Sequence, residues 1–168
     1  MAERGVKSKQ TATAEGIIRR DVIHGSELRE TSNLITANGM TTELFRPEWN
    51  IIDRNIDHVI HVVLNPGAIS AWHMHASRID CIFVTEGTAR LVMWDARRDS
   101  PTYDTVSVVH LSRMQPTLAT IPNGVWHGFK NVGPGCVSFV NYASVAYNYE
   151  NPDEWTLPPD TDEIPYRF

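Results

Sequence analysis

A short stretch of the chain, residues 67–87, carries three side chains suited to binding a metal ion or moving a proton. His73 and His75 are separated by one residue, and Asp80 follows five residues later. If the stretch forms a strand, a turn and a returning strand, both imidazoles point to one face and Asp80 begins the second strand beside them. Neutral imidazole and carboxylate groups offer lone pairs to a divalent metal ion. With His127 as a fourth ligand, the sequence predicts a metal site made by His73, His75, Asp80 and His127.

These ligand types do not choose among Mn, Fe, Ni and Zn. The alternative is a polar cluster without metal, in which the imidazoles hydrogen-bond to one another and to Asp80. Metal is favoured because each buried ring nitrogen would otherwise need a protein partner. Without metal, His73 is the candidate general base, with Asp80 tuning its basicity.

Short segments rich in β-branched residues, separated by turns containing Gly or Pro, run through most of the chain. No segment has a long helical period, so the pattern predicts an all-β sandwich or barrel. We expect one domain over residues 16–168, a flexible N-terminal arm over residues 1–15, and a Pro-rich, acidic tail from residue 150 that wraps over the surface. The clearest predicted strands are residues 58–64, 82–84, 89–94, 105–111, 117–121, 125–129 and 136–142.

The length and charge of the chain narrow the class of partner. At 168 residues with a formal charge of −5, the chain suits one acidic domain and lacks the basic face that binds nucleic acid. No apolar run reaches the roughly 20 residues of a membrane span, and residues 1–16 lack the apolar core of a signal peptide. We therefore expect a cytoplasmic protein with a small-molecule substrate, without nucleic-acid or membrane partners.

Two motifs resemble the signatures of the cupin superfamily. The first is Gly67-x5-His73-x-His75-x4-Asp80-x6-Gly87, with Asp80 in the position that usually holds Glu. The second is Pro122-x-Gly124-x2-His127-x3-Asn131. The resemblance implies a double-stranded β-helix jelly roll and places the four candidate ligands at the metal positions of that superfamily.

A narrower resemblance covers most of the chain after the arm. Residues 42–45, 95–102, 122–129 and 150–166 are similar to the dTDP-4-dehydrorhamnose 3,5-epimerase branch of the cupins. That branch implies a homodimer that epimerises a 4-keto-6-deoxy nucleotide sugar without metal, using a His base, a Tyr acid and an Asp that orients the His.

Carried onto this chain, the resemblance implies His73 as the base. The acid position falls on Val140, and Tyr142 has the same strand parity, so Tyr142 is the candidate acid. Asp160 and Asp162 are the candidates for the orienting carboxylate. The chain departs from the family at positions that contribute cations to the diphosphate site, where it has Asn38, Ser70 and Asp80.

Three further side chains are candidate substrate contacts. Trp72 and Trp126 each precede a predicted ligand and either stack on a sugar or pack around the site. Glu43 follows an N-terminal strand that in the resembled enzymes helps to form the partner's site, although an exposed ion pair with Arg46 is an equal alternative.

Three functions remain open from the sequence. The first is an epimerase or isomerase of a keto-deoxysugar or related carbohydrate, with a divalent metal in the barrel that polarises the ketone. The second is a metal-dependent cupin enzyme of another class, such as a dioxygenase, a lyase or a small-acid isomerase. The third is a non-catalytic, ligand-binding cupin.

Overall fold

The computed structural model describes residues 8, 10–15 and 20–168. Within these residues the chain forms twelve strands and one 3-10 turn, Pro47–Trp49, and no α-helix. The strands are β1 Leu28–Glu30, β2 Asn33–Thr36, β3 Gly39–Thr42, β4 His58–Leu64, β5 Ile69–Met74, β6 Asp80–Glu86, β7 Thr88–Trp94, β8 Val106–Ser112, β9 Thr117–Ile121, β10 Trp126–Asn131, β11 Val137–Ala143 and β12 Trp155–Thr156.

The strands make two antiparallel five-stranded sheets and one separate hairpin. The sheet orders are β1-β9-β6-β11-β4 and β12-β5-β10-β7-β8, and the hairpin is β2-β3. Strands that follow one another in the chain often lie in opposite sheets, as in a jelly roll. The predicted all-β architecture is confirmed. The predicted N-terminal arm lies largely outside the described residues, so its boundary at residue 15 stays a prediction.

No helix of the described residues is long and apolar enough to cross a membrane.

The core lies between the two large sheets. Along β11 the side chains of Val137, Phe139, Asn141 and Ala143 are buried, while those between them are partly exposed. This period of two is what a strand shows when only one face is packed on a core. Apolar side chains from both sheets fill the interior, among them Ile82, Leu91, Met93, Leu111, Phe129 and Phe139.

Two strand pairings bring the predicted site residues together. His127 of β10 lies directly opposite His73 of β5 in one sheet. Asp80 begins β6 in the other sheet, where it pairs with Ile121 and Ala143. The four candidate ligands therefore reach the interior from both sheets, although they are up to 54 positions apart in the sequence.

The C-terminal tail wraps over the surface, as predicted, and also extends a sheet. In β12, Thr156 pairs with His73, and Leu157 exchanges backbone hydrogen bonds of 2.8 and 3.1 Å with Trp72. The rings of Tyr166 and Phe168 then pack against Trp72, with centroids 6.2 and 4.8 Å away. The tail is thus fixed against β5, the strand that carries His73 and ends one residue before His75.

A buried carboxylate organises the loop between β7 and β8. Asp95 is fully buried and accepts hydrogen bonds from Arg97, at 2.8 Å to each oxygen, and from the hydroxyls of Ser100 and Thr102 at 2.6 and 2.7 Å. Arg97 also donates to the carbonyl of His24 at 2.7 Å. Burial alone would raise the pKa of Asp95, but these hydrogen bonds outweigh it and hold the pKa well below its ordinary value.

We predict that Asp95→Asn lowers the free energy of unfolding at pH 7 by on the order of 3 kcal/mol, because it breaks a buried pair and leaves Arg97 without its partner. Because the folded-state pKa is lowered, the stabilisation is fully present above the ordinary value of 3.8 and is lost as the pH falls through the folded-state value. Urea unfolding between pH 7 and pH 3 should therefore show a shallower acid loss in the variant. Glu86→Gln, which breaks an exposed ion pair of 2.8 Å with Arg113, is the matched control and should change stability by less than about 1 kcal/mol. Equal losses in both variants would contradict the prediction.

Candidate functional site

A cavity of about 140 Å³ lies between the two sheets, where β5, β6, β10 and β11 come together. Its wall combines apolar and polar side chains. The apolar side chains are Ile60, Val62, Ile82, Phe129 and Phe139, and the polar ones are Ser70, His73, His75, Arg78, Asp80, His127, Asn141 and Glu154. All four predicted metal ligands line this cavity.

His73 is the most accessible of the cavity histidines, with 26% of its side chain exposed. Its Nδ1 lies 3.0 Å from a carboxylate oxygen of Glu154, and its Nε2 lies 3.1 Å from the hydroxyl of Ser70. Because an ionised carboxylate only accepts hydrogen bonds, Nδ1 carries the proton and Nε2 carries the lone pair. His73 is thus held in the tautomer of a base, with a carboxylate placed to stabilise the imidazolium that forms on protonation.

His75 is buried and is fixed at both ring nitrogens. Its Nδ1 donates a short hydrogen bond to the backbone carbonyl of Asp153. Its Nε2 accepts a hydrogen bond of 2.8 Å from Nη2 of Arg78. The lone pair of Nε2 is therefore already engaged by a cation.

Asp80 is buried beside the same guanidinium. Nε of Arg78 lies 2.8 Å from Oδ1, Nη2 donates to Oδ2 at 3.3 Å, and Asn141 donates to Oδ1 at 2.9 Å. Burial alone would raise the pKa of Asp80, but the Arg78 guanidinium and the Asn141 hydrogen bond outweigh it and lower the pKa. Asp80 is thus a buried carboxylate paired with a buried cation.

His127 is buried and neutral at pH 7. Burial lowers its pKa to about 4, since the charged ring would be poorly solvated. Nδ1 lies 3.2 Å from the carbonyl of Val125, which can only accept, so Nδ1 carries the proton. Nε2 is left with a lone pair 3.6 Å from Oδ2 of Asp80. His127 therefore has no proton to donate into the cavity.

Three of the four predicted metal ligands converge. The ligand atoms of His75, Asp80 and His127 lie within 4.8 Å of one another, whereas those of His73 lie outside this group. A metal ion there would need the lone pair of His75 that Arg78 already occupies at 2.8 Å. With the guanidinium in this position the cluster does not fit a divalent cation, and the metal site stays a prediction.

Tyr142, the predicted acid, points away from the cavity. Its ring stacks on Phe45 with centroids 5.3 Å apart, and burial raises its pKa. Val140 and Tyr142 share one face of β11, as predicted, but that face points away from the cavity, and Asn141 lies on the face that lines it. No tyrosine lines the cavity within the part of the chain that the structure describes.

The predicted substrate contacts also lie elsewhere. Trp72 is fully buried beneath the C-terminal tail, and Trp126 packs in the same outer cluster as Trp94. Glu43 is exposed and forms an ion pair of 2.9 Å with Arg46, the alternative left open from the sequence. None of the three side chains lines the cavity.

Sequence reasoning placed the orienting carboxylate too far along the tail. Asp162 forms an ion pair with Arg167, and the carboxylate on His73 belongs to Glu154. The acidic pair Asp153-Glu154 immediately before Trp155 was the available signal, but its use required knowing that the tail pairs with β5. Arg78 and Asn141 were also missed.

Asp153 fixes the turn between β5 and β6. Its carboxylate accepts the backbone N–H groups of Ala76, Ser77 and Arg78 at 2.9, 2.9 and 3.0 Å. Burial alone would raise the pKa of Asp153, but these hydrogen bonds outweigh it and lower the pKa. Two consecutive tail residues thus hold the turn that carries Arg78 and orient both His73 and His75.

Comparisons with known proteins agree with this fold. A family model described as dTDP-4-dehydrorhamnose 3,5-epimerase matches residues 23–165. The chain is 32% identical over 139 residues to the probable low-salt glycan biosynthesis epimerase Agl13 of Haloferax volcanii, covering 82% of this chain and 89% of the relative. It is 28% identical over 147 residues to the spore coat polysaccharide biosynthesis protein SpsL of Bacillus subtilis, covering 88% and 97%. A crystal structure of a dTDP sugar isomerase from Desulfovibrio desulfuricans G20 superposes with a TM-score of 0.80 at 23% identity, covering 86% and 90%.

We predict that Asp153→Asn lowers the free energy of unfolding by about 1–2 kcal/mol at pH 7, because an amide oxygen replaces a carboxylate that accepts three hydrogen bonds. Because the carboxylate is only partly buried, solvent screens it and reduces the expected loss of stability. Thermal or urea unfolding measures the change, and Asp160→Asn, on an exposed tail residue, should leave stability within about 0.5 kcal/mol. If Asp153→Asn is as stable as the wild type, the three backbone contacts contribute nothing measurable.

Proposed function

Since the chain belongs to the dTDP-4-dehydrorhamnose 3,5-epimerase family of cupins, we propose that it inverts a carbon next to the ketone of a nucleotide-linked keto-deoxysugar. Membership makes the protein a sugar epimerase, in agreement with the prediction from its motifs. The side chains that line the cavity support the finer substrate class.

The observation that carries the proposal is the pair formed by His73 and Glu154. His73 lines the cavity, its Nε2 carries the lone pair, and Glu154 accepts the Nδ1 hydrogen 3.0 Å away. A hydrogen on a carbon beside a ketone is acidic enough to be taken by such a base when the developing charge on oxygen is stabilised. Among the described residues, Ser70 is the hydroxyl that contacts Nε2, and an approaching C–H group would take its place.

The reaction balances without an oxidant or reductant. Nε2 takes the proton, the C–H electrons form a carbon–carbon double bond, and the carbonyl electrons move to oxygen. When the carbonyl reforms, water protonates the carbon from the opposite face, and the hydroxide produced takes the proton held by His73. The product differs from the substrate only in the configuration of that carbon.

The size of the cavity sets which part of the substrate enters. A volume of about 140 Å³ is below the range of roughly 300–1,000 Å³ usual for whole drug-sized ligands. We infer that the keto-sugar ring enters and that the nucleotide stays at the mouth. The homodimer and the cytoplasmic location remain predictions.

We predict that the protein incorporates deuterium at a carbon flanking the ketone when it is incubated with dTDP-4-keto-6-deoxyglucose in D2O. His73→Asn should slow this exchange by about 10²–10⁴-fold, the usual contribution of a general base. Glu154→Gln should slow it as well, because an amide does not stabilise the imidazolium. NMR or mass spectrometry follows the label.

Glu163→Gln removes an exposed tail carboxylate outside the cavity and is the matched control, with an exchange rate equal to that of the wild type. An unchanged rate in His73→Asn would rule out His73 as the base. A wild-type rate no higher than that of buffer, with this sugar and its other nucleotide forms, would overturn the proposal.

A metal-dependent reaction is the second candidate, supported by the convergence of His75, Asp80 and His127. These residues would hold the ion, which would polarise the ketone as a Lewis acid. Such binding requires Arg78 to leave the cluster.

We predict that protein purified without chelators or added metal contains clearly substoichiometric Mn, Fe, Ni and Zn, because the Arg78 guanidinium occupies the lone pair of His75. Elemental analysis and titration with each ion provide the test. One equivalent of metal that is lost in His127→Ala, but retained in the control His110→Ala on the outer face of β8, would favour the metal-dependent candidate.

A further inference from the structure

We propose that Arg78 is a catalytic residue of this epimerisation, and that its guanidinium donates a hydrogen bond to the ketone oxygen and stabilises the enolate formed when His73 takes the proton. The inference rests on the proposed function. It assigns a role to a side chain at an unspecified position of the first motif, between His75 and Asp80.

The chemistry requires a hydrogen-bond donor in the cavity. Removal of a proton beside a ketone places negative charge on the carbonyl oxygen, and donors fixed in advance around that oxygen are usually the largest single contribution to the rate. The resembled enzymes use a tyrosine as their acid, and no tyrosine lines this cavity within the described residues.

Most of the polar hydrogens in the cavity are already engaged by protein acceptors. Asn141 donates to Asp80, the N–H of His75 is held by the carbonyl of Asp153, and that of His127 by the carbonyl of Val125. The Ser70 hydroxyl contacts Nε2 of the base itself. Asn141 keeps a second amide N–H, but it is a neutral donor, and a charged donor forms the stronger hydrogen bond to a developing oxyanion.

Arg78 has N–H donors that its hydrogen bonds to His75 and Asp80 do not use. A guanidinium carries five N–H groups and remains charged at every working pH. Nε lies against Asp80, and Nη2 contacts His75 and Asp80. Among the hydrogen bonds of the described residues, none uses Nη1.

The position of the guanidinium is set in advance. Asp80 and His75 hold one edge of the guanidinium, the Asp153 carboxylate holds the backbone N–H of Arg78, and only 12% of the side chain is exposed. A charged donor that is fixed by protein contacts needs no reorganisation as charge develops on the substrate. Arg78 thus acts as an electrostatic stabiliser, and the proton itself passes through His73 and water.

A purely structural role, in which Arg78 only neutralises Asp80, makes a different prediction. It would lower stability in Arg78 variants while leaving the rate of any folded molecule intact. The test therefore separates the rate of deuterium exchange at saturating substrate from substrate affinity and from folding.

The experiment uses the full chain with dTDP-4-keto-6-deoxyglucose in D2O. We expect Arg78→Ala to slow exchange at saturating substrate by about 10²–10³-fold, as for loss of an oxyanion donor, and added guanidinium chloride at low millimolar concentration to restore part of the rate. Arg78→Lys retains a charge beside Asp80 and so should fold, but one ammonium cannot reproduce the planar, multiply bonded fork, and its rate should also fall by at least tenfold.

Arg54→Ala is the matched control, because Arg54 is exposed and donates to the carbonyl of Ser77 on the same turn without lining the cavity. It should exchange at the wild-type rate. Exchange by folded Arg78→Lys at the wild-type rate overturns the role of Arg78 and leaves the proposed function standing. Absence of exchange in the wild type overturns the proposed function, and the role of Arg78 with it.

Discussion

The site is built around one buried ion pair, that of Asp80 with Arg78. A carboxylate withdrawn from water is strongly destabilising unless it is paired and hydrogen-bonded, and here Arg78 and Asn141 satisfy Asp80 from two directions. The pair fixes the guanidinium, the guanidinium fixes the lone pair of His75, and the neutral ring of His127 closes the group. A guanidinium and a divalent metal ion compete for the same lone pairs, so this ion pair opposes metal binding at the cluster.

Much of the fold could be predicted from the sequence because its signals are local. The β-branched runs, the Gly and Pro turns and the two spaced motifs each depend on neighbouring residues, and the predicted strand 58–64 and strand β4 have the same bounds. The convergence of His73, His75, Asp80 and His127 on one cavity was also predicted, since strand parity places the first two on one face.

The rest of the site depends on contacts that no local pattern contains. Glu154 reaches His73 only because β12 adds to the edge of β5, and a two-residue strand leaves no periodicity to detect. The acid position was carried onto β11 by counting from His127, which led to Val140 and to Tyr142, on the face away from the cavity. Adjacent residues of a strand point to opposite faces, so the amide of Asn141 lies on the cavity face and the hydroxyl of Tyr142 on the other.

Docking of the C-terminal tail affects the proposed active site more than the core between the sheets. Residues 153–154 are not part of the main core between the two large sheets. His73 acquires its carboxylate partner only when the tail pairs with β5, where the aromatic rings of the tail cover Trp72. A molecule whose tail is undocked would keep the core between the sheets and lose the carboxylate contact of His73. Because the contacts that cover Trp72 lie away from the cavity, we expect substitutions there to change turnover without altering any side chain that lines the cavity.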